Sequence, residues 1–133
     1  MAVHCQPKRA ARIAAEVVRA LNYADESGLV HRDVKPENIL IEGDGRTRLT
    51  DCGLVLDTTS GPGSLSRIIL GTPTYMAPEQ ASSGTVDARS DVYGLGAVLY
   101  HMLLGGPPFK GELPVAILAR SLHGAGMCMV SSR

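Results

Sequence analysis

His31-Arg32-Asp33-Val34-Lys35-Pro36-Glu37-Asn38, followed further along by Asp51-Cys52-Gly53, decides how this chain is read. The two stretches place a carboxylate, a cation, a carboxamide and a second carboxylate on neighbouring loops. Asp33 is able to accept or orient a hydroxyl proton. Lys35 is able to neutralise charge on a phosphoryl group in transit. Asn38 and Asp51 are hard oxygen ligands, of the kind Mg²⁺ takes one or two at a time alongside phosphate oxygens. Such an inventory suits the holding of a magnesium-bound triphosphate beside a hydroxyl.

The bulk properties are compatible with that chemistry and exclude others. At 133 residues the chain is long enough for one domain that buries roughly two-thirds of its unfolded surface. Its apolar share of 44% is that of a globular chain. With four Tyr, Phe109 alone and no Trp, the core is left to Leu, Val, Ile and Ala. Thirteen basic and thirteen acidic residues cancel, so no electrostatic case exists for nucleic acid or an anionic membrane as a partner. Cys5, Cys52 and Cys128 form no CxxC pair and no zinc-spaced cluster. A reducing, cytoplasmic setting is the simplest expectation. Met1 to Arg9 has no apolar run and does not read as a secretory signal. Val92 to Leu104, the longest apolar stretch, is too short to span a bilayer and is expected to be a buried helix.

Working outward, Pro7 opens a helical pattern over about residues 8–24. Ala10, Ile13, Ala14, Val17 and Leu21 fall on one face, and Gly28 is a stop signal. Ile39 to Ile41 is a short strand, Gly43-Asp44-Gly45 a turn, and Arg46 to Thr50 the returning strand. This hairpin brings Asp51 back toward the loop that carries Asn38. Residues 54–70 have the composition of a mobile loop. Asp87 to Leu104 reads as the most apolar helix, closed by Gly105-Gly106-Pro107-Pro108. Gly94 and Gly96 lower its helix propensity, which makes sense where other backbone packs closely on them. Residues 113–122 are a candidate for one further short helix.

Four motifs stand in a fixed order: HRDVKPEN at 31–38, DCG at 51–53, GTPTYMAPE at 71–79 and SDVYGLG at 90–96. Each alone is weak, since a lone HRD triplet is usually a solvated turn. Together they resemble the C-terminal lobe of a serine/threonine protein kinase of the bacterial eukaryotic-like type, over about residues 7–110. The resemblance implies a mainly α, kinase-like C-lobe, with a short β-hairpin between catalytic loop and metal-binding loop. Residues 7–110 would then be a partial catalytic domain without an N-lobe, and residues 111–133 a poorly defined tail.

It further implies a role for each matched residue. Asp33 is the catalytic base or the group that orients the hydroxyl. Lys35 assists transfer of the γ-phosphate of ATP and, with Thr72, marks a protein Ser/Thr substrate. Asn38 and Asp51 hold Mg²⁺, and Leu40 lies under the adenine ring. Arg32 pairs with a phosphate on the following loop, for which Thr58, Thr59, Ser60, Ser64 and Ser66 are candidates; as single residues these read equally well as flexible filler. His31, Cys52, Gly53 and Glu79 are structural. Asp91 anchors the catalytic-loop backbone, or else is a carboxylate favoured by a helix N-terminus.

The chain also departs from the family pattern. No GxGxxG occurs, and of the three lysines neither Lys8 nor Lys110 suits a strand lysine that grips phosphate. Cys52 stands where the family usually has Phe. The expected arginine partner of Glu79 has no counterpart at Arg120 or Arg133. The resulting expectation is a truncated Ser/Thr kinase, weakly active or inactive alone. The alternative is a non-catalytic interaction module that binds a complementary lobe or a regulator.

Overall fold

The structure is a computed structural model, and it describes residues 4–51, 73–81 and 85–109. The loop expected at 54–70, the helix at 113–122 and the tail lie outside those residues. The described chain is mostly helical with one two-stranded antiparallel sheet, as the motif order implies.

Helix α1 runs Pro7–Glu26, with the proline in its first turn. Its buried stripe is Ala10, Ile13, Val17, Leu21 and Ala24. These are spaced three and four apart, as one face of a helix requires. The C-terminus closes through the amide of Leu29 donating to Ala24 O (2.9 Å) and that of Gly28 to Asp25 O (2.8 Å). This paired closure needs a left-handed residue, and Gly28 supplies it at φ +74°.

Strands β1 (Ile39–Ile41) and β2 (Thr47–Leu49) pair with Ile39 opposite Leu49 and Ile41 opposite Thr47. The register turns Ile39 and Leu49 together onto the core. The hairpin is fastened to α1 by Glu16, whose carboxylate accepts the Thr47 amide at 2.6 Å.

Helix α2 is the short Pro78–Ala81, and helix α3 is Ala88–Leu104. Asp87 caps α3 by accepting the Arg89 amide at 2.8 Å. Gly105, at φ +74°, ends it. Ile13, Val17, Leu21, Val34, Tyr75, Leu95, Ala97 and Val98 form the core between α1 and α3. Met102 packs on its edge, and its carbonyl takes the Cys5 amide at 2.8 Å.

Two expectations for α3 need correction. The helix is not buried all round: Val92 is 67% exposed, and Leu103 and Leu104 are exposed too. Among the described residues, the elements packed on it meet only the side that carries Gly94, Leu95 and Val98. The two glycines also differ. A Cβ on Gly94 would lie 3.1 Å from both the carbonyl oxygen and the Cβ of Val34, whereas among the described residues nothing stands within 4 Å of one on Gly96. Among the described residues, Gly94 and not Gly96 is needed for a close approach.

Gly96→Ala therefore gains helix propensity without a clash among the described residues and is expected to stabilise by about 0.5–1 kcal/mol. Gly94→Ala sets that gain against overpacking of about 1–3 kcal/mol on a backbone carbonyl, and is expected to be the less stable variant. Urea denaturation of the two proteins checks the order; Gly94→Ala at least as stable as Gly96→Ala refutes it.

Candidate active site

Residues 31–38 begin as irregular backbone and end in a 3₁₀ turn, Pro36–Asn38. Lys35, before the proline, is extended at φ −150° and ψ 162°, as the proline ring demands. The turn closes through the Asn38 amide donating to Lys35 O at 3.0 Å, and so folds Asn38 back toward Asp33. Val34 is buried and seats the loop on Gly94 of α3.

Asp91, in the first turn of α3, is only 5% exposed. One of its oxygens accepts the His31 amide at 2.8 Å and the other the Arg32 amide at 2.7 Å. Arg32 is left-handed, at φ +67°. For a residue with a Cβ that conformation costs about 1–3 kcal/mol, and the two charge-assisted bonds offset it. Consecutive amides turned onto one anion in this way form a backbone nest.

His31 is buried, and its Nε2 lies 2.9 Å from Thr50 O. Its Nδ1 receives the Asp33 amide at 3.3 Å. An amide only donates and a carbonyl only accepts, so these partners assign the ring hydrogen to Nε2. The imidazole thus bridges the Asp33 backbone to the residue just before Asp51.

Asn38 is buried as well. Its Nδ2 donates to Asp33 O at 2.7 Å and to Asp33 Oδ2 at 3.0 Å. Its carbonyl takes the Thr50 amide at 2.8 Å and the Thr50 hydroxyl at 3.3 Å. Asp51 follows directly, exposed and left-handed at φ +57°. Arg32 and Asp51 are the two non-glycine residues at positive φ among those described, and they flank the site. Lys35 Nζ pairs with Asp33 Oδ2 at 2.7 Å, its side chain 21% exposed against 50% for Asp33. Leu40, half exposed on β1, directly follows Asn38 and Ile39.

On the opposite side lies the segment 73–81. Glu79 accepts from the buried Ser90 hydroxyl at 2.6 Å, a partner within the chain that its motif did not announce. Gln80 donates to Arg32 O at 2.8 Å while its own oxygen accepts the Ala77 amide at 3.0 Å. The Tyr75 hydroxyl lies 2.6 Å from His101 Nδ1, the two rings stacked 6.1 Å apart. Burial, and then the Glu37 carboxylate, raise the Tyr75 phenol above its ordinary pKa. A crevice of about 20 Å³, lined in part by Arg32, Asp33, Tyr75 and Gln80, separates the loop from this segment.

The structure therefore gathers His31, Arg32, Asp33, Lys35, Asn38, Asp51 and Asp91, with Glu79 at the margin. Cys52, Gly53, Thr58, Thr59, Ser60, Ser64, Ser66 and Thr72 lie outside the described residues. Thr50, Gln80 and Ser90 went unnoticed in the sequence, although each adjoins a motif: Thr50 precedes DCG, Gln80 follows APE, and Ser90 opens SDVYGLG.

This loop, hairpin and helix arrangement agrees with the comparisons to known proteins. The family described as "Protein kinase domain" matches residues 2–130. The chain belongs to the protein kinase family. Over 113 residues it is 46% identical to serine/threonine-protein kinase PknB of Mycolicibacterium smegmatis, covering 84% of this chain and 18% of that protein. It is 43% identical to PknB of Mycobacterium tuberculosis over 113 residues, with the same 84% and 18% coverage. It is 47% identical over 111 residues to the DNA damage-responsive serine/threonine-protein kinase RqkA of Deinococcus radiodurans, covering 83% of this chain and 17% of that protein. The chain thus spans under a fifth of the length of these curated relatives. Among the described residues no helix is long and apolar enough to cross a membrane.

Asp91→Asn tests the nest. The substitution keeps the shape but turns an N–H₂ toward one of two buried amide donors. It is expected to lower the unfolding free energy by about 1–3 kcal/mol, read by urea titration. An unchanged midpoint shows that the carboxylate does not hold this loop.

Proposed function

We propose that the chain carries the catalytic-loop half of a serine/threonine kinase, whose reaction transfers the γ-phosphoryl group of ATP to a protein Ser or Thr hydroxyl. One observation carries this reading. The buried Asn38 donates twice to Asp33 and accepts twice from Thr50, which tethers the Asp33 loop to the chain entering Asp51.

The donor set fits Mg²⁺. Asn38 uses its nitrogen on Asp33, which leaves Oδ1 as the end of the carboxamide able to meet a cation, and Asp51 adds an exposed carboxylate. One carboxylate and one carboxamide are a partial shell, suited to an ion that keeps phosphate oxygens and water as its other ligands. When bound, that ion supplies neutralisation of phosphate charge.

The remaining steps belong to the chain's own groups. Asp33 Oδ2 is occupied by Asn38 and Lys35. Its other oxygen has no partner among the described residues and is the one to accept or orient the substrate hydroxyl proton. Lys35, already beside that carboxylate, is placed to share its charge with the phosphoryl group in transit. Arg32 is proposed to offer its guanidinium to a phosphate within residues 54–70, where Thr58, Thr59, Ser60, Ser64 and Ser66 are candidate acceptors. Thr72 is the proposed neighbour of Asp33, and Leu40 the proposed apolar floor for adenine. Residues 7–110 are proposed as the catalytic-domain portion of this chain.

The 133 residues hold no GxGxxG, so the chain itself brings no glycine-rich loop over the triphosphate. Calorimetry with Mg-ATP on the purified chain is expected to give a Kd of about 1 mM or weaker. Phosphoryl transfer to a Ser/Thr peptide, measured with the catalytic domain completed by a relative's N-terminal half, is expected to fall about 10²–10⁴-fold in Asp33→Asn. Transfer unaffected by that substitution defeats the reading.

A further inference from the structure

The peptide unit between Arg32 and Asp33 is gripped at both ends. Its N–H, on Asp33, donates to His31 Nδ1 at 3.3 Å, and its C=O, on Arg32, accepts from Gln80 Nε2 at 2.8 Å. Gln80 is itself fixed, because its oxygen takes the Ala77 amide at 3.0 Å. Both ends of one carboxamide are thus used on backbone groups that belong to two different segments.

The neighbours of Gln80 close a circuit. Glu79 accepts from Ser90 at 2.6 Å. Asp91, adjacent to Ser90, accepts the Arg32 amide at 2.7 Å. Arg32 is therefore held at its N–H by α3 and at its C=O by α2, and α2 is bonded to α3. A residue at φ +67° relaxes by rotating the peptide planes on either side of it. The Asp91 bond restrains the plane before Arg32, and the Gln80 bond restrains the plane after it, which leads directly into Asp33.

We propose that Gln80 is a positioning residue for Asp33. It locks the Arg32–Asp33 peptide plane and makes the aim of the Asp33 carboxylate depend on the seating of segment 73–81. The inference rests on the kinase reading for its functional meaning, but the lock itself is physical and is measurable without catalysis. Because segment 73–81 borders the crevice beside Asp33, anything that lifts α2 releases the Arg32 carbonyl. Asp33 then loses its aim while α1 and the hairpin stay folded.

Two variants separate the bonds. Gln80→Glu keeps an oxygen for the Ala77 amide and removes the N–H given to Arg32. Gln80→Met fills a similar volume and removes both. Amide hydrogen exchange by NMR on the ¹⁵N-labelled full chain reads the result, with the buried Val17 of α1 as internal reference. Exchange at the Asp33 amide is expected to rise about fivefold or more in both variants, with Val17 unchanged. The ¹⁵N shift of His31 Nδ1 is expected to move as it loses the Asp33 hydrogen bond.

Unchanged Asp33 exchange in Gln80→Glu overturns the proposal. Loss of Val17 protection in both variants overturns it too, since Gln80 would then support the fold at large rather than one peptide plane. In the completed catalytic domain, Gln80→Glu is expected to lower kcat and leave the KM for ATP in place; the reverse pattern contradicts a positioning role. Should Gln80→Glu loosen Asp33 while Asp33→Asn leaves phosphoryl transfer intact, the lock stands and the catalytic reading falls.

Discussion

The Asp91 carboxylate is the constraint on which the rest of the site depends. It is buried at the start of α3, and it meets two consecutive backbone amides, those of His31 and Arg32. A carboxylate taken out of water costs several kcal/mol unless its oxygens are satisfied. Here each oxygen has an amide donor at 2.7–2.8 Å, and the N-terminal end of a 17-residue helix adds a favourable dipole. The charge and the nest stabilise one another: without the anion the two amides repel, and without the amides the buried anion is unpartnered. Arg32, the second of the two donors, takes the left-handed conformation at φ +67°.

Strain then marks the edges of the site. Arg32 and Asp51 sit at positive φ without being glycine, and each borders a backbone clamp. Asp91 and Gln80 hold the Arg32 peptide groups. The two hydrogen bonds that the Thr50 amide and hydroxyl donate to the Asn38 carbonyl hold the chain just before Asp51. Backbone held in such regions persists only where surrounding contacts over-determine it. The payload of this rigidity is the placement of three ionisable side chains, on Asp33, Lys35 and Asp51, above a framework that does not have to reorganise.

How far the sequence announced this depends on the range of the interaction. Helix α1 was legible because its stripe at three- and four-residue spacing is local, and Pro7 and Gly28 punctuate it; the structure extends it by only a residue or two at each end. The hairpin was legible from the Gly43-Asp44-Gly45 turn between the apolar Ile39 to Ile41 and the returning stretch Arg46 to Thr50. The motifs that carry the candidate site residues were legible in their order. What was not legible is contact between segments far apart in sequence. Gln80 reaches Arg32, and Ser90 reaches Glu79, through bonds that no periodicity encodes. The two glycines of α3 show the same limit: Gly94 and Gly96 look alike in sequence, yet only Gly94 faces the Val34 carbonyl. The exposure of Val92, Leu103 and Leu104 is a further case, since an apolar helix discloses its composition but not which elements cover it.

The burial pattern of the loop explains how one stretch can be both anchor and tool. His31, Val34 and Asn38 are buried, while Asp33 and Glu37 between them are exposed and Arg32 and Lys35 lie at the boundary. The buried members form a mixed set: an imidazole bonded on both nitrogens, an aliphatic wedge against α3, and a carboxamide whose nitrogen is held by its own loop. None of these three is free to follow a ligand, because each would leave a buried polar group or a void behind. The exposed members carry the charge and lose little by reorienting their termini. On the proposed kinase reading this division suits chemistry that works by placement rather than by covalent intermediates, with the backbone fixed beforehand and only the tips of a few side chains left to adjust to the transferring group.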